Sequence, residues 1–259
     1  MIKAGLWLTN RAARKRMHRP RKRLPCFGDL VQIDGSDHDW FEGRGPRCTA
    51  MVLADDATGR LQELRFFPRE DRHAYFCVVH SYVTTHGRPI RMVTDRHRAV
   101  WSPDGPTEFT QALDRLNVIH SFAYSGESKG RVERKHRVLQ DRLVKAMRLE
   151  GISTIDEANA FVPRYIKTHN RRFATPPECE GDSHRALDHY DVDRIFSTRS
   201  TRRVTKQLTF SFEGEEYQIE GGTEDRLKIG REVSVEIRLD GTMAVFGQSS
   251  RLNVRLARR

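Results

Sequence analysis

The 259-residue chain lacks the features that direct a protein into a membrane or an oxidising compartment. No stretch approaches the roughly 18 apolar residues of a membrane helix. Residues 11–23 are basic where a signal peptide would be apolar. The cysteines are few, far apart and free of any C-x-x-C pair: Cys26, Cys48, Cys77 and Cys179. We therefore expect a cytoplasmic protein with reduced thiols and no membrane partner.

The same scarcity of cysteine argues against a zinc site. Cys179, His184 and His189 are close enough in sequence to be considered as ligands. A structural zinc site usually needs two pairs of closely spaced ligands, and these are scattered single residues. We do not expect zinc.

Acidic residues are missing from the first 25 positions, which contain nine Lys and Arg residues in a chain of net charge +11. Such a block repels itself and offers little apolar surface, so residues 1–25 are predicted to be a basic arm. Cations that neutralise DNA phosphates release condensed counterions, which favours contact with nucleic acid. A solvated basic linker is the alternative.

Residues 26–172 alternate short apolar strands with amphipathic helices. Three closely linked strands predict an antiparallel meander, and two more strands alternate with helices. The predicted strands cover 30–34, 48–54, 61–67, 90–94 and 118–122, and the helices cover 71–86, 107–116, a long one after 130, and 154–170. This order indicates a mixed α/β domain.

The remainder of the chain has a different character. Residues 173–202 are polar and contain prolines, so we expect a linker with little regular structure. Residues 203–255 contain short strands separated by Gly and Asp turns, a pattern typical of a small β-barrel.

Three acids stand at special places in the core pattern. Asp34 lies within the first strand, Asp95 ends the fourth, and Glu133 opens the long helix. If the first and fourth strands are neighbours, Asp34 and Asp95 meet at one sheet edge, and a helix across that edge adds Glu133. Converging carboxylates repel each other unless cations share the site. Two Mg²⁺ ions about 3.5–4 Å apart would suit a phosphodiester displacement. An acid at a strand end is, however, commonly a turn former or a surface charge.

Several segments resemble one protein family. They are Q-I-D-G-S at 32–36, D-D-A-T at 55–58, T-D-R-H at 94–97, S-G-E-S-K-G-R-V-E at 125–133, and the helix at 165–173 that contains N-R-R-F. Together they resemble bacterial insertion-sequence DDE transposases with an integrase catalytic core, in particular the ISNCY group.

The resemblance implies a ribonuclease-H-like mixed sheet with flanking helices, followed by a small all-β barrel that binds DNA. It implies that Asp34, Asp95 and Glu133 are both catalytic residues and metal ligands, for two Mg²⁺ ions or Mn²⁺. The implied reaction is DNA strand cleavage and strand transfer. The implied partners are double-stranded transposon ends, target DNA and further copies of the chain, in the nucleoid of a bacterial cytoplasm.

The chain departs from the family pattern in three respects. Glu127 competes with Glu133 as the third acid, although only Glu133 occupies the motif position, and Gly126 replaces the usual proline. The family generally carries a helix-turn-helix domain ahead of the core, and we expect this chain to lack it. Two alternatives therefore stand: a truncated, non-catalytic DNA-binding fragment that inhibits intact transposase, or a ribonuclease-H-like nuclease without joining activity.

Basic residues surround Glu133 and are predicted DNA contacts: Lys129, Arg131, Arg134 and Arg137. The alternative is a solvated helix face in which Arg137 pairs with Asp141 one turn later. His97 either touches substrate phosphate or is a satisfied loop residue. Trp40 and Phe41 are predicted to serve packing.

Overall fold

A computed structural model describes residues 22–123, 126–221, 231–248 and 250–257, and for residues 126–134 it describes the backbone alone. Most of the predicted basic arm, residues 1–21, lies outside the described residues. The elements are β1 (Leu30–His38), β2 (Cys48–Asp55), β3 (Leu61–Phe67), α1 (Arg72–His86), β4 (Arg91–Thr94), α2 (Glu108–Arg115), β5 (Ile119–Phe122), α3 (Gly126–Leu149), α4 (Ile155–Phe173), α5 (Val192–Ile195), β6 (Thr198–Arg203), β7 (Thr209–Phe212), β8 (Glu215–Ile219), β9 (Glu232–Ile237), β10 (Met243–Phe246), β11 (Arg251–Leu252) and β12 (Val254–Leu256).

The core is a five-stranded mixed sheet in the order β3-β2-β1-β4-β5. The first three strands are antiparallel, while β4 pairs in parallel with β1 and β5 in parallel with β4. The meander and the ribonuclease-H-like mixed sheet are therefore confirmed. β1 extends four residues beyond its predicted end, because its partner continues to pair with it as far as His38 opposite Cys48.

Helices cover both faces of this sheet. Side chains alternate between the faces along each strand, so both faces carry apolar residues that the helices bury. Val31, Ile33 and Met51 pack on one face with α1 and α2. Ala50 and Val52 pack on the other face with α3 and α4. All eight residues of β2 are buried, as expected of a strand covered on both sides.

The helix α4 lies along β3, the outer strand of the meander. A capping box of Thr154 and Glu157 starts it, and it continues through Pro163 to its end. The side-chain amide of Asn170 accepts from the Leu61 N–H and donates to the Leu61 carbonyl, each at 2.8 Å. Asn159 makes the same two contacts with the backbone of Phe66, at 2.7 and 3.0 Å. Two amides thus occupy the place of a further strand on the β3 edge.

The segment 173–202 differs from the expected irregular linker. It contains α5 and the first strand of the all-β region, β6, which pairs with β9. Val192, Ile195 and Phe196 are buried in the α1 face of the core. The apolar residues of this stretch are scattered among polar ones and give no periodic signal. The predicted domain boundaries remain predictions.

The expectation of four reduced thiols is wrong for one pair. Cys26 and Cys179, 153 residues apart, form a disulfide. They meet because the chain returns along its own start: the Cys179 N–H donates to the Pro25 carbonyl at 3.1 Å, and the Ser183 N–H to the Phe27 carbonyl at 2.8 Å. Cys179 is therefore not a thiolate that can bind zinc. Cys48 and Cys77 are free and buried.

The C-terminal region forms two small sheets, β11-β10-β9-β6 and β12-β8-β7. They share one apolar cluster that includes Phe210, Val235 and Val245. An all-β region is thus confirmed, whereas closure into a barrel stays a prediction. Within the described parts of the chain, no helix has the length and apolar character needed to span a membrane.

Candidate active site

Asp34 and Asp95 occupy corresponding positions on two neighbouring strands. In the parallel pair of β1 and β4, Gln32 stands opposite Val93. Two residues further along each chain are Asp34, still within β1, and Asp95, directly after β4. Alternation places both side chains on the same side as Gln32 and Val93. The condition for their predicted convergence, that the first and fourth strands are neighbours, is therefore met, and the joint site itself stays a prediction.

The long helix α3 packs across the strand that bears Asp34. The Nε2 atom of His136 lies 3.0 Å from the Oδ2 atom of Asp34, whose side chain is 19% exposed. One turn later, the Gln140 side chain donates to the Ser36 hydroxyl at 3.1 Å. The His136 ring is buried, and neither ring nitrogen makes an aligned hydrogen bond with a described group. His136 and Asp34 are therefore close enough for a hydrogen bond, but the angle between them is unsuitable for one.

The loop after β4 folds around the second acid. The backbone N–H of His97 donates to the Oδ1 atom of Asp95 at 3.0 Å. The His97 ring lies 3.5 Å from Glu70 and stacks beside Tyr75. His97 thus contacts protein groups through both its backbone and its ring, and its contact with substrate phosphate stays a prediction.

Glu133 lies inside α3 and not at its start, because the helix already begins at Gly126. The position is two turns into the helix and one turn before His136. The side chains of Glu133 and its competitor Glu127 lie outside the described residues, as do those of Lys129, Arg131 and Arg134. The role of Glu133 and these three DNA contacts therefore stay predictions.

Arg137 is the predicted DNA contact whose side chain the structure describes. It is exposed on α3. The alternative pair with Asp141 does not form, since Asp141 pairs instead with Lys145. Trp40 and Phe41 are fully buried against Phe66, which confirms that they serve packing.

Lys135, two residues after Glu133, makes a structural contact. Its ammonium donates to the carbonyl of Gly59 in the turn between β2 and β3. Burial, and then the neighbouring Arg23, lower the pKa of Lys135 to about 8. The motif acid Asp55 has a structural contact too: it accepts from the Gly28 N–H at 3.1 Å and from the Thr58 hydroxyl at 2.6 Å. These contacts hold the turn that supports β1.

Sequence reasoning missed a third described acid beside the site. Glu70 lies between β3 and α1, and burial raises its pKa above the usual range. The charges of Asp95 and Asp34 also raise the pKa of Glu70. Burial, Glu70 and then the same two aspartates raise the pKa of Tyr75. The only signal in the sequence was an acid before a helix, which is ordinary for a cap.

The donor set at this edge fits a hard divalent cation. Asp34 and Asp95 supply carboxylate oxygens, and their joint negative potential reaches Glu70 and Tyr75. Such a potential is what a bound cation would relieve. Among the side chains that the structure describes, no three His, Cys, Asp or Glu residues are already grouped as metal ligands. The third predicted ligand, Glu133, is not among those side chains.

Comparison with known proteins agrees with this arrangement. The chain is 42% identical over 255 residues to the putative transposase y4bF of Sinorhizobium fredii, a match covering 95% of this chain and 55% of that protein. It is 35% identical over 170 residues to the transposase for insertion sequence IS1202 of Streptococcus pneumoniae, covering 61% of this chain and 36% of that protein. No family model matches.

A solved structure shares the fold. It is a simian T-cell lymphotropic virus intasome in complex with the PP2A regulatory subunit B56 gamma, with a TM-score of 0.51, 15% identity, and coverage of 94% of this chain and 84% of that one. The chain is thus similar in sequence to two bacterial proteins named transposases, one of them for an insertion sequence. It spans about half the length of y4bF, the first of these relatives.

Proposed function

We propose that this chain carries the catalytic core of a DNA transposase, which cleaves DNA strands at transposon ends and joins them to target DNA. The observation that supports the proposal is that Asp34 lies in β1 and Asp95 directly follows the adjacent parallel strand β4, with His136 of α3 beside Asp34. The position of Glu133, one turn before His136, supports it as the third acid of the same site.

Asp34, Asp95 and Glu133 are the residues that would hold Mg²⁺, as two ions, or Mn²⁺. When bound, the ions supply activation of the attacking oxygen and stabilisation of the leaving oxygen. The protein's own contribution is to fix the carboxylates. The His97 N–H holds Asp95, and the Gln140 contact with Ser36 holds α3 to β1.

DNA would be bound by cations on and around α3. Arg137 is exposed there, and Lys129, Arg131 and Arg134 belong to the first half of the same helix. Contacts of this kind position the phosphate backbone and carry no sequence information. The predicted partners remain transposon-end DNA, target DNA and further copies of the chain. The all-β region is predicted to bind backbone as well.

The test is cleavage and joining of labelled duplexes that carry the two ends of the genomic segment encoding the chain, with Mg²⁺. We expect Asp95→Asn and Glu133→Gln to lose both products. Asp114→Asn, an exposed acid on α2, serves as the matched control and should retain both. Wild-type activity in Asp95→Asn would contradict the assignment.

The same assay separates the alternatives. Cleaved ends without joined product would indicate a nuclease that does not transfer strands. Retained DNA binding without cleavage, in the wild type and in every variant, would indicate a non-catalytic fragment. Calorimetric titration of Mn²⁺ into the wild type and Asp34→Asn measures metal binding independently of DNA.

A further inference from the structure

Glu70 turns into the protein where an ordinary capping residue would face solvent. The next residue, Asp71, is the cap of α1, since its carboxylate accepts from the Ala74 N–H at 3.0 Å. Glu70 instead accepts a hydrogen bond from the hydroxyl of the buried Tyr75 at 2.6 Å. Its side chain is only 19% exposed. The start of α1 is therefore complete without Glu70, and the buried carboxylate needs another explanation.

The Glu70 carboxylate lies directly against β1. A Cβ atom built on Gly35 would overlap the Oε2 atom of Glu70, so the carboxylate occupies the space that a side chain at position 35 would fill. Gly35 follows Asp34 in the strand. Glu70 thus supports the backbone immediately beyond the first candidate metal ligand.

The same carboxylate reaches the loop after β4. Its Oε1 atom lies 3.5 Å from the Nδ1 atom of His97. The His97 ring lies nearly parallel to Tyr75, at 6.4 Å between centroids and 24° between planes. The backbone N–H of His97 in turn binds Asp95. Glu70 therefore contacts the residue after Asp34 and the residue two positions after Asp95.

We propose that Glu70 is a positioning residue of the candidate active site, which fixes the relative placement of Asp34 and Asp95 through Gly35 and His97. The proposal rests on the proposed function in one respect only, that these two aspartates form a divalent-cation site. Groups behind metal ligands set the orientation of those ligands, and their loss typically lowers metal affinity about 10–100-fold.

The charge of Glu70 allows a positioning role to be distinguished from a merely structural role, because the two roles predict different effects of Glu70→Gln on stability without metal. Glu70 adds a negative charge beside two others, and removal of a like charge relieves repulsion. The amide in Glu70→Gln retains an oxygen that can accept from Tyr75 and removes the charge. Without metal, we expect the midpoint of thermal unfolding, Tm, to be equal to or above that of the wild type. Metal affinity should fall, because the ring of His97 loses the carboxylate that lies 3.5 Å from its Nδ1 atom.

Glu63 offers a matched control. It is also a mostly buried acid with a pKa raised by burial, and it accepts from one hydroxyl, that of Ser81, at 2.7 Å. It lies on β3, away from both aspartates. The experiment measures the rise in Tm of the full chain against Mn²⁺ concentration, for the wild type, Glu70→Gln and Glu63→Gln. We expect the half-maximal concentration to increase about 10-fold or more in Glu70→Gln and to stay unchanged in Glu63→Gln.

Two further variants test the contacts separately. Gly35→Ala displaces the Glu70 carboxylate without changing its charge. Tyr75→Phe removes the hydroxyl that holds it. Both should weaken Mn²⁺ binding in the same direction as Glu70→Gln, and both should lower the rate of DNA cleavage at fixed Mg²⁺, with partial recovery at higher Mg²⁺.

The outcomes distinguish this inference from the proposed function. Wild-type Mn²⁺ dependence in Glu70→Gln overturns the role of Glu70, whatever the wild type does to DNA. A metal-free Tm far below that of Glu63→Gln overturns it too, because Glu70 would then be a structural residue. A wild type that binds Mn²⁺ and cleaves no DNA refutes the proposed function and leaves Glu70 to be decided by the metal titration. A wild type that binds no Mn²⁺ overturns the inference.

Discussion

The side-chain amides of Asn159 and Asn170 on α4 should contribute measurably to stability, because the distance between them matches the distance between their partners on β3. Asn159 and Asn170 are 11 residues apart on a helix, and Phe66 and Leu61 are five residues apart on a strand. At rises of about 1.5 and about 3.3 Å per residue, both separations are about 16.5 Å. The asparagine side chains of α4 therefore match the spacing of their partners on β3 across three helical turns.

Replacement of either asparagine with alanine removes two hydrogen bonds. It leaves a backbone N–H and a carbonyl of a buried residue, Leu61 or Phe66, without these partners. The net value of one such bond is about 1 kcal/mol, so each variant should lose about 2 kcal/mol. For a chain of this size, that corresponds to a decrease in Tm of about 4–8 °C.

The assay is thermal unfolding followed by circular dichroism, with amide hydrogen exchange at Leu61 and Phe66 as a local probe. Thr168→Ala, at an exposed position of α4, is the matched control and should change stability by no more than about 0.5 kcal/mol. Asn170→Asp retains the acceptor and loses the donor, so it should also destabilise. Tm values within about 1 °C of the wild type for both alanine variants would refute the reasoning.

Three other predictions concern titration and redox state. Burial lowers the pKa of His120 to about 4, below its ordinary 6.5, so stability should fall as the pH decreases from 6.5 towards 4, and His120→Gln should reduce that slope in acid unfolding curves. The pKa of Lys135 is about 8 against an ordinary 10.5, so the folded state gains stability as the pH rises through this window, and the gain should be absent from Lys135→Met in urea titrations. Reduction of the Cys26–Cys179 bond should cost about 2–4 kcal/mol, measured as a lower Tm with dithiothreitol that Cys26→Ser reproduces without it.

Much of the core could be predicted from the sequence, because its signals are local and periodic. Alternation along β1 and the apolar run of β2 identify strands, and the positions of Asp34 and Asp95 follow from where those strands lie. The start of α3 was predicted too late. Residues 126–130 are polar and contain two glycines, and such a stretch gives no apolar periodicity to mark a helix.

The support around the aspartates could not be predicted, because it joins residues that are distant in sequence. Glu70 meets Gly35 and His97 only in the folded chain, where the segment between β3 and α1 comes against β1 and the loop after β4. His136 has no distinguishing signal in the sequence, because it is one polar residue of a basic helix, one turn after Glu133. The disulfide could not be predicted for the same reason. Cys26 and Cys179 are 153 residues apart, and they meet only because the folded chain returns to its own start.

The joined ends of the core have a mechanical consequence. Cys26 precedes β1 and Cys179 follows α4, so the covalent bond between them lies at the entry and the exit of the mixed sheet. A pulling force applied between the segment before residue 26 and the region after residue 179 passes through that bond. The strands carrying Asp34 and Asp95 are then outside the load path. The two flanks can be drawn apart without the tension being transmitted along β1 and β4.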